Sequence, residues 1–399
     1  MSKNKKINLK NILLFIIYFL VIMSYYKPNY VSYIMGTINK FFSLVKYLSI
    51  YISIILVLLN KNIRKFTIFI TLSQLYILVC TYYNGGLSQY SFGILTSVFV
   101  LCTFIDYSFS HNPALFLKSM ISAFLLYILV NFIYMIGNPN GLYYSNGARV
   151  WFLGGKNTTI LYILPLLISL VLYSKILNKK NKPMFFIVYL LSIIQLLIGW
   201  SATSIVGLFI FSIGMVFENK LRNIKLMNVK NYFIIYIVLF FSIVVYRLQN
   251  LFSYLIMNIL KKDMTFTGRT VIWDHVLYNI KQKYLLGYGL EEESIRYAKQ
   301  GGIRLYSHNQ LLEVLYKGGI FYASLIIIAF GTVIHQLKKY KKSKFSFVLE
   351  LSILVYLIMM LTEYYHIEIF VYIFAFAYNI DNLELICGKE RSDIYDKIS

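Results

Sequence analysis

Apolar residues recur in long runs along this chain, at roughly 11–25, 42–59, 66–83, 88–105, 115–136, 158–177, 184–199, 201–217, 232–246, 311–336, 345–361 and 367–380. A helix needs about 20 apolar residues to cross the hydrocarbon of a bilayer, and most of these runs approach that length. The short alternating segments of a transmembrane barrel are missing. The pattern predicts an all-α polytopic membrane protein of about twelve transmembrane helices, a single integral membrane domain over 1–399. One long polar interruption, 247–309, parts the ninth run from the tenth, and a short charged tail occupies 381–399.

Composition agrees. The 399 residues are 59% hydrophobic and only 14% charged, with mean hydropathy +0.65, too little polar surface for a soluble protein of this size. A net charge of +23 would point to nucleic acid in a soluble protein. Here the basic residues sit mostly in alternate short connections: before the first run (Lys3, Lys5, Lys6, Lys10), at Lys61, Arg64 and Lys65, at Lys118, around Lys180 and Arg222, from Lys338 to Lys344, and in the tail. The positive-inside rule assigns those connections and both termini to the cytoplasm. The 247–309 loop and the 137–157 connection then face outward, and no nucleic-acid partner is expected. Ser24-Tyr25-Tyr26-Lys27 after the first run offers no small-residue cleavage site, which predicts an uncleaved span. Cys80 and Cys102 lie inside apolar runs and Cys387 in the tail, which makes neither a disulfide framework nor a metal spacing.

Chemistry therefore has few places to reside. Ionisable groups are scarce in mid-run. Gln74 and Gln195 cannot titrate, and Asn131 and Glu350 sit nearer run ends, which argues against an ion-coupled transporter. Arg149, Arg247, Arg269, Arg296 and Arg304 are all expected outside, and a guanidinium fork suits phosphate. Loop arginines are commonly only solvated; Arg149 and Arg269 stand out by their neighbours, Arg149-Val150-Trp151-Phe152-Leu153-Gly154-Gly155-Lys156-Asn157 and Thr267-Gly268-Arg269-Thr270-Val271-Ile272-Trp273. His308 is the candidate proton-handling group, with Asn309 and Glu313 within about one helical turn to orient it or a substrate. A His-Asn pair at a helix start also reads as a simple cap. The acidic stretch Thr362-Glu363-Tyr364-Tyr365-His366-Ile367-Glu368 either lines a site or faces water, and water is the favoured expectation. No P-loop, glycine fingerprint or outward Asp-x-Asp occurs, so no nucleotide, metal or other cofactor is expected, and an outward reaction needs a substrate already activated.

At these residues the chain resembles the O-antigen polymerase and ligase family of membrane glycosyltransferases. Three motifs match in order: Arg149 through Asn157; Gly268-Arg269…Trp273 followed by Leu286-Gly287-Tyr288-Gly289; and His308-Asn309…Leu312-Glu313…Gly318-Gly319 entering a span. Two positions depart from the family pattern. Trp200-Ser201-Ala202-Thr203-Ser204 lacks the basic residue that many relatives carry after a serine, and Tyr322 replaces a glycine. The resemblance implies a GT-C-like helical fold in the bacterial cytoplasmic membrane and metal-independent glycosyl transfer at its outer face. Undecaprenyl-diphosphate-linked oligosaccharides would be donor and acceptor. It also implies that Arg149 and Arg269 hold the diphosphate and His308 serves the acceptor hydroxyl, while Lys156, Asn157, Trp273, Arg304, Asn309 and Glu313 contact substrate. A polymerase of capsular, exopolysaccharide or O-antigen repeats is the expected activity, with a chain-length regulator as a partner. Transfer of finished glycan by a ligase, or export of the lipid-linked sugar by a flippase, are the alternatives.

Overall fold

The computed structural model describes residues 9–60, 63–86, 89–145, 147–179, 182–248, 268–291, 296 and 306–386. A helix lies over each of the apolar runs. In chain order the elements are α1 (Leu9–Tyr25), α2 (Asn29–Tyr33), α3 (Gly36–Asn60), α4 (Lys65–Tyr83), α5 (Gln89–His111), α6 (Pro113–Gly137), the hairpin β1 (Tyr143–Ser145) and β2 (Ala148–Val150), α7 (Ile160–Ile176), α8 (Lys182–Gly199), α9 (Ala202–Val216), α10 (Glu218–Leu221) and α11 (Val229–Leu239). After α11 come a π-helical turn (Phe240–Val245), α12 (Arg269–Gln282), α13 (Gln310–Lys339), α14 (Ser346–Met360) and α15 (Ile367–Tyr378).

Among the described residues five helices, α3, α4, α5, α6 and α13, are long and apolar enough to cross a membrane. Ile367–Tyr378 and Ile380–Ile386, bent by 52°, make a sixth if taken as one span, and the other apolar helices have 10–17 residues. The chain is a largely helical, multi-pass membrane protein. Helix α7 is buried on all sides, as are α14 and α15, the signature of a helix surrounded by other helices. In contrast, α3 exposes Leu44, Leu48, Tyr51, Leu58 and Leu59, as a helix bathed in lipid does.

The two ends of the bundle differ. At one end ion pairs tie the basic connections to the helix ends: Arg64 to Asp381 at 2.8 Å, Lys175 to Glu218 at 2.6 Å and Lys341 to Glu350 at 2.6 Å. Arg222 donates to the Ser343 carbonyl at 2.9 Å there. The opposite end carries the hairpin, α12 and the starts of α7, α9, α13 and α15.

Helix α13 is broken near its start. Gly319 has φ +60°, so the amide of Ile320 leaves the helical ladder. Non-helical backbone at membrane depth is stable only when the freed groups find other partners. Here the segment after α12 supplies them: Ile320 N–H donates to Tyr284 O at 2.9 Å, Tyr288 N–H donates to Tyr316 O at 2.9 Å and Gly289 N–H donates to Lys317 O at 2.7 Å. The two backbones cross so closely that a Cβ on Gly287 would lie 2.5 Å from the Gly318 nitrogen. This crossing explains Gly287 and Gly319, while Gly289 lies against the Thr81 backbone of α4 and Gly318 against the Tyr322 and Ile77 side chains. We expect Gly319→Ala, which forces a positive φ on a residue with a Cβ, to cost about 1–3 kcal/mol or more. The check is the melting temperature of the detergent-solubilised protein, with Gly331→Ala as the control. A Cβ on Gly331 meets nothing within 4 Å, so that variant should melt no lower than wild type.

Candidate functional site

Residues far apart in the chain meet at the hairpin end through one carboxylate. Glu363, in the extended stretch between α14 and α15, accepts a hydrogen bond from Arg269 Nη2 at 2.6 Å and from Asn157 Nδ2 at 2.8 Å, both on Oε1. Its other oxygen, Oε2, lies 3.5 Å from His308 Nδ1. Asn157 in turn accepts at Oδ1 from Ser201 Oγ at 2.6 Å, and Ser201 is 2.7 Å from Ser204 Oγ. Glu363 is only 6% exposed, so the expectation that its acidic stretch faces water is overturned. Burial raises the cost of an unpartnered carboxylate, and the cationic and amide donors gathered here meet that cost. Alongside, the Tyr365 hydroxyl is buried with no hydrogen-bond partner among the described residues. Burial, reinforced by the Glu363 charge, pushes its pKa well above the ordinary phenol value.

Each member is held by a local device. Gly268, left-handed at φ +81°, starts α12 and sets Arg269 in its first turn. His308 is itself left-handed at φ +45°, a conformation that His tolerates better than most side chains. Immediately after it Asn309 caps α13, accepting from Leu312 N at 3.0 Å. The Asn309 amide donates to the Leu361 carbonyl at 3.0 Å, and Gln310 Oε1 accepts from Tyr365 N at 2.9 Å. The start of α13 therefore grips both sides of Glu363. Trp273, 1% exposed, donates from Nε1 to the Ser307 carbonyl at 2.9 Å and so ties α12 to the His308 turn. Glu313 is fully buried, taken up by Arg296 at 2.6 and 2.8 Å and accepting from the Ser307 amide at 3.3 Å. The Glu313 charge, opposing the effect of burial, raises the Arg296 pKa above its usual value. Sequence reasoning placed Trp273, Asn309 and Glu313 on the substrate; the structure engages their polar groups within the protein, where they position His308 and Arg269.

The loop carrying Lys156 and Asn157 is pinned from below by two amide side chains. Asn131 accepts from Leu153 N at 3.0 Å and donates to Gln195 Oε1 at 2.7 Å, while Trp151 Nε1 donates to Asn138 O at 2.9 Å. Asn131 and Gln195 were visible in the sequence only as polar residues in apolar runs. Arg149, on β2 opposite Tyr144, and Lys156 are exposed, and neither has a side-chain partner among the described residues. Arg304 lies outside the described residues. Among the described residues no group of three His, Cys, Asp or Glu could hold a metal ion.

Residues 147–327 match the sequence profile of the family described as O-antigen ligase. That match supports the O-antigen polymerase and ligase family for this chain. Members of this family are membrane glycosyltransferase-like enzymes. No curated protein matches the chain. The matched region includes Arg149, Lys156, Asn157, Arg269 and His308. Glu363, the carboxylate that joins three of them, lies beyond it.

Removing Glu363 leaves Arg269 without its buried partner. Glu363→Ala should lower stability by about 3 kcal/mol, and adding Arg269→Ala should restore part of the loss. A double-mutant cycle of thermal denaturation reads this as a coupling of about 1–3 kcal/mol between the two residues; additive losses would contradict the pairing.

Proposed function

We propose that this protein is a polysaccharide polymerase. It joins undecaprenyl-diphosphate-linked oligosaccharide repeats at the outer face of a bacterial cytoplasmic membrane. It crosses the membrane twelve times, with both termini and the basic connections in the cytoplasm and the 247–309 loop outside. The observation that carries the reading is the Glu363 carboxylate holding Arg269, Asn157 and His308 together at one end of the bundle.

The chemistry follows from the groups present. An acceptor sugar hydroxyl attacks the anomeric carbon of the donor, the new C–O bond forms, and the bond to the diphosphate breaks with its electron pair leaving on the diphosphate oxygen. That leaving group carries growing negative charge. Arg269 uses one nitrogen on Glu363, and the remaining donors of its fork, with the exposed cations Arg149 and Lys156 and with Arg304, offset that charge. His308 takes the hydroxyl proton. With Glu363 Oε2 facing Nδ1, the tautomer protonated on Nδ1 leaves Nε2 as the base, in the way a buried carboxylate orients an imidazole elsewhere. Helices α7, α9, α13 and α15 are among those that start at this end, and helix N-termini favour anions nearby. No metal, nucleotide or other cofactor enters this scheme.

Purified protein given lipid-linked repeats, without nucleotide or added metal, should form new glycosidic bonds. His308→Ala and Arg269→Ala should each slow the reaction by about 10²–10⁴-fold. Full-length polymer from both variants would overturn these roles, and transport without bond formation would make the protein an exporter. A ligase uses the same chemistry on a different acceptor. A cell lacking the protein separates the two, since loss of a polymerase leaves single repeat units and loss of a ligase leaves long chains on the carrier.

A further inference from the structure

The stretch 363–366 between α14 and α15 is extended, and alternate side chains of an extended chain point in opposite directions. Tyr364 and His366 turn one way and, with Lys317, line an apolar cavity of about 430 Å³ between α4, α11, α13 and α15. Glu363 and Tyr365 turn the other way, and both are buried. Glu363 belongs to the cluster described above. The Tyr365 ring packs into the apolar core of the bundle, but its hydroxyl is buried without a hydrogen-bond partner among the described residues.

A buried hydroxyl that makes no hydrogen bond destabilises the fold that contains it, so its retention calls for a use. Glu363, Tyr356 and Arg269 act on this hydroxyl electrostatically. Tyr356 is already paired with the Tyr372 hydroxyl at 3.0 Å. A guanidinium has donors only and cannot receive the Tyr365 proton. Glu363 can. Its Oε1 holds Arg269 and Asn157, whereas its Oε2 faces His308 at 3.5 Å, and a carboxylate oxygen accepts more than one hydrogen bond. Oε2 therefore has room for a further donor.

The need for that donor arises when a diphosphate arrives. Arg269 has one nitrogen on Glu363 at 2.6 Å and the rest of its fork partly exposed. A diphosphate on the free part of the fork draws on the same positive charge, so that one guanidinium serves two anions. A buried carboxylate whose counter-charge is drawn off is destabilised, and protonating it would release His308 from its orientation. A hydroxyl donating to Oε2 favours the charged form of Glu363. Being neutral, it does not compete with Arg269 for the diphosphate. Burial and the Glu363 charge hold the Tyr365 pKa well above the ordinary phenol value, so it stays a donor.

We propose that Tyr365 is a positioning residue held in reserve: its hydroxyl donates to Glu363 when a diphosphate engages Arg269, and so keeps the carboxylate ionised beside His308. The assignment rests on the transferase reading above only in taking Arg269 as the partner of the diphosphate.

The isosteric change Tyr365→Phe separates this role from a structural one, because it removes a hydroxyl that is unpaired before the diphosphate binds and paired afterwards. The detergent-solubilised full chain carrying it should melt no lower than wild type. It should nevertheless bind undecaprenyl diphosphate about tenfold more weakly in isothermal titration calorimetry, and Arg269→Ala should weaken the same binding. In a Glu363→Gln background, where no charge is left to serve, Tyr365→Phe should change the affinity by less than about twofold. If that background does not fold, the opposed changes in melting temperature and affinity of Tyr365→Phe decide alone. A lowered melting temperature, wild-type affinity in Tyr365→Phe or in Arg269→Ala, or an undiminished loss over Glu363→Gln would overturn the proposal. Binding that follows the expected pattern, without any glycosidic bond formed from lipid-linked repeats, would support the Tyr365 assignment and sink the transferase reading alone. Bond formation with an affinity blind to Tyr365→Phe would do the reverse.

Discussion

A carboxylate withdrawn from water among apolar helices must find its counter-charges inside the protein, because in a low dielectric the unpartnered ion costs several kcal/mol. Glu363 meets that demand by drawing in Arg269 from the start of α12, Asn157 from the loop before α7 and His308 from the turn before α13. Those segments are separated by long stretches of chain and held apart by intervening helices. Their meeting at one point makes them a site and not a set of solvated loop residues. The supporting contacts serve the same end: Asn309 and Gln310 grip the backbone on both sides of Glu363, and Trp273 locks the His308 turn to α12.

The break in α13 belongs to this arrangement. An unbroken helix would carry Tyr316, Lys317 and the residues beyond them in one line. Gly319 interrupts it, and the chain after α12 inserts there, trading its own amides and carbonyls for those the helix gave up. The cost of exposing backbone groups at membrane depth is thus offset by cross-chain hydrogen bonds. The segment that begins with Arg269 is by this means anchored to the helix that begins beside His308. Below the break, α13 forms one wall of the apolar cavity headed by Lys317.

Much of this was legible in the sequence. Long apolar runs report helices because a membrane-buried helix needs continuous apolar residues, and a helix does lie over every run. The family could be read from the ordered motifs around Arg149, Arg269 and His308, and residues 147–327 match it. Glu363 was harder. It stands in an acidic, tyrosine-rich stretch that on composition alone looks like a wet turn, and nothing local reveals that Arg269 and Asn157 lie across from it. Asn131 and Gln195 posed the same difficulty: each is one amide in an apolar run, and their pairing at 2.7 Å depends on how α6 packs on α8.

The sequence by itself determined that the chain is a helical membrane protein, where its helices lie, and which arginines and histidine carry the family's motifs. Those are properties of composition and local order, and they need no knowledge of which helix touches which. Only the tertiary structure decided that Glu363 is the common partner of Arg269, Asn157 and His308, and that Glu313, Asn309 and Trp273 support the site from within. It also decided that Tyr364 and His366 turn to a second, apolar chamber. Charge pairing is set by distance in space, and distance in space across a bundle is fixed by packing, which no single stretch of sequence records.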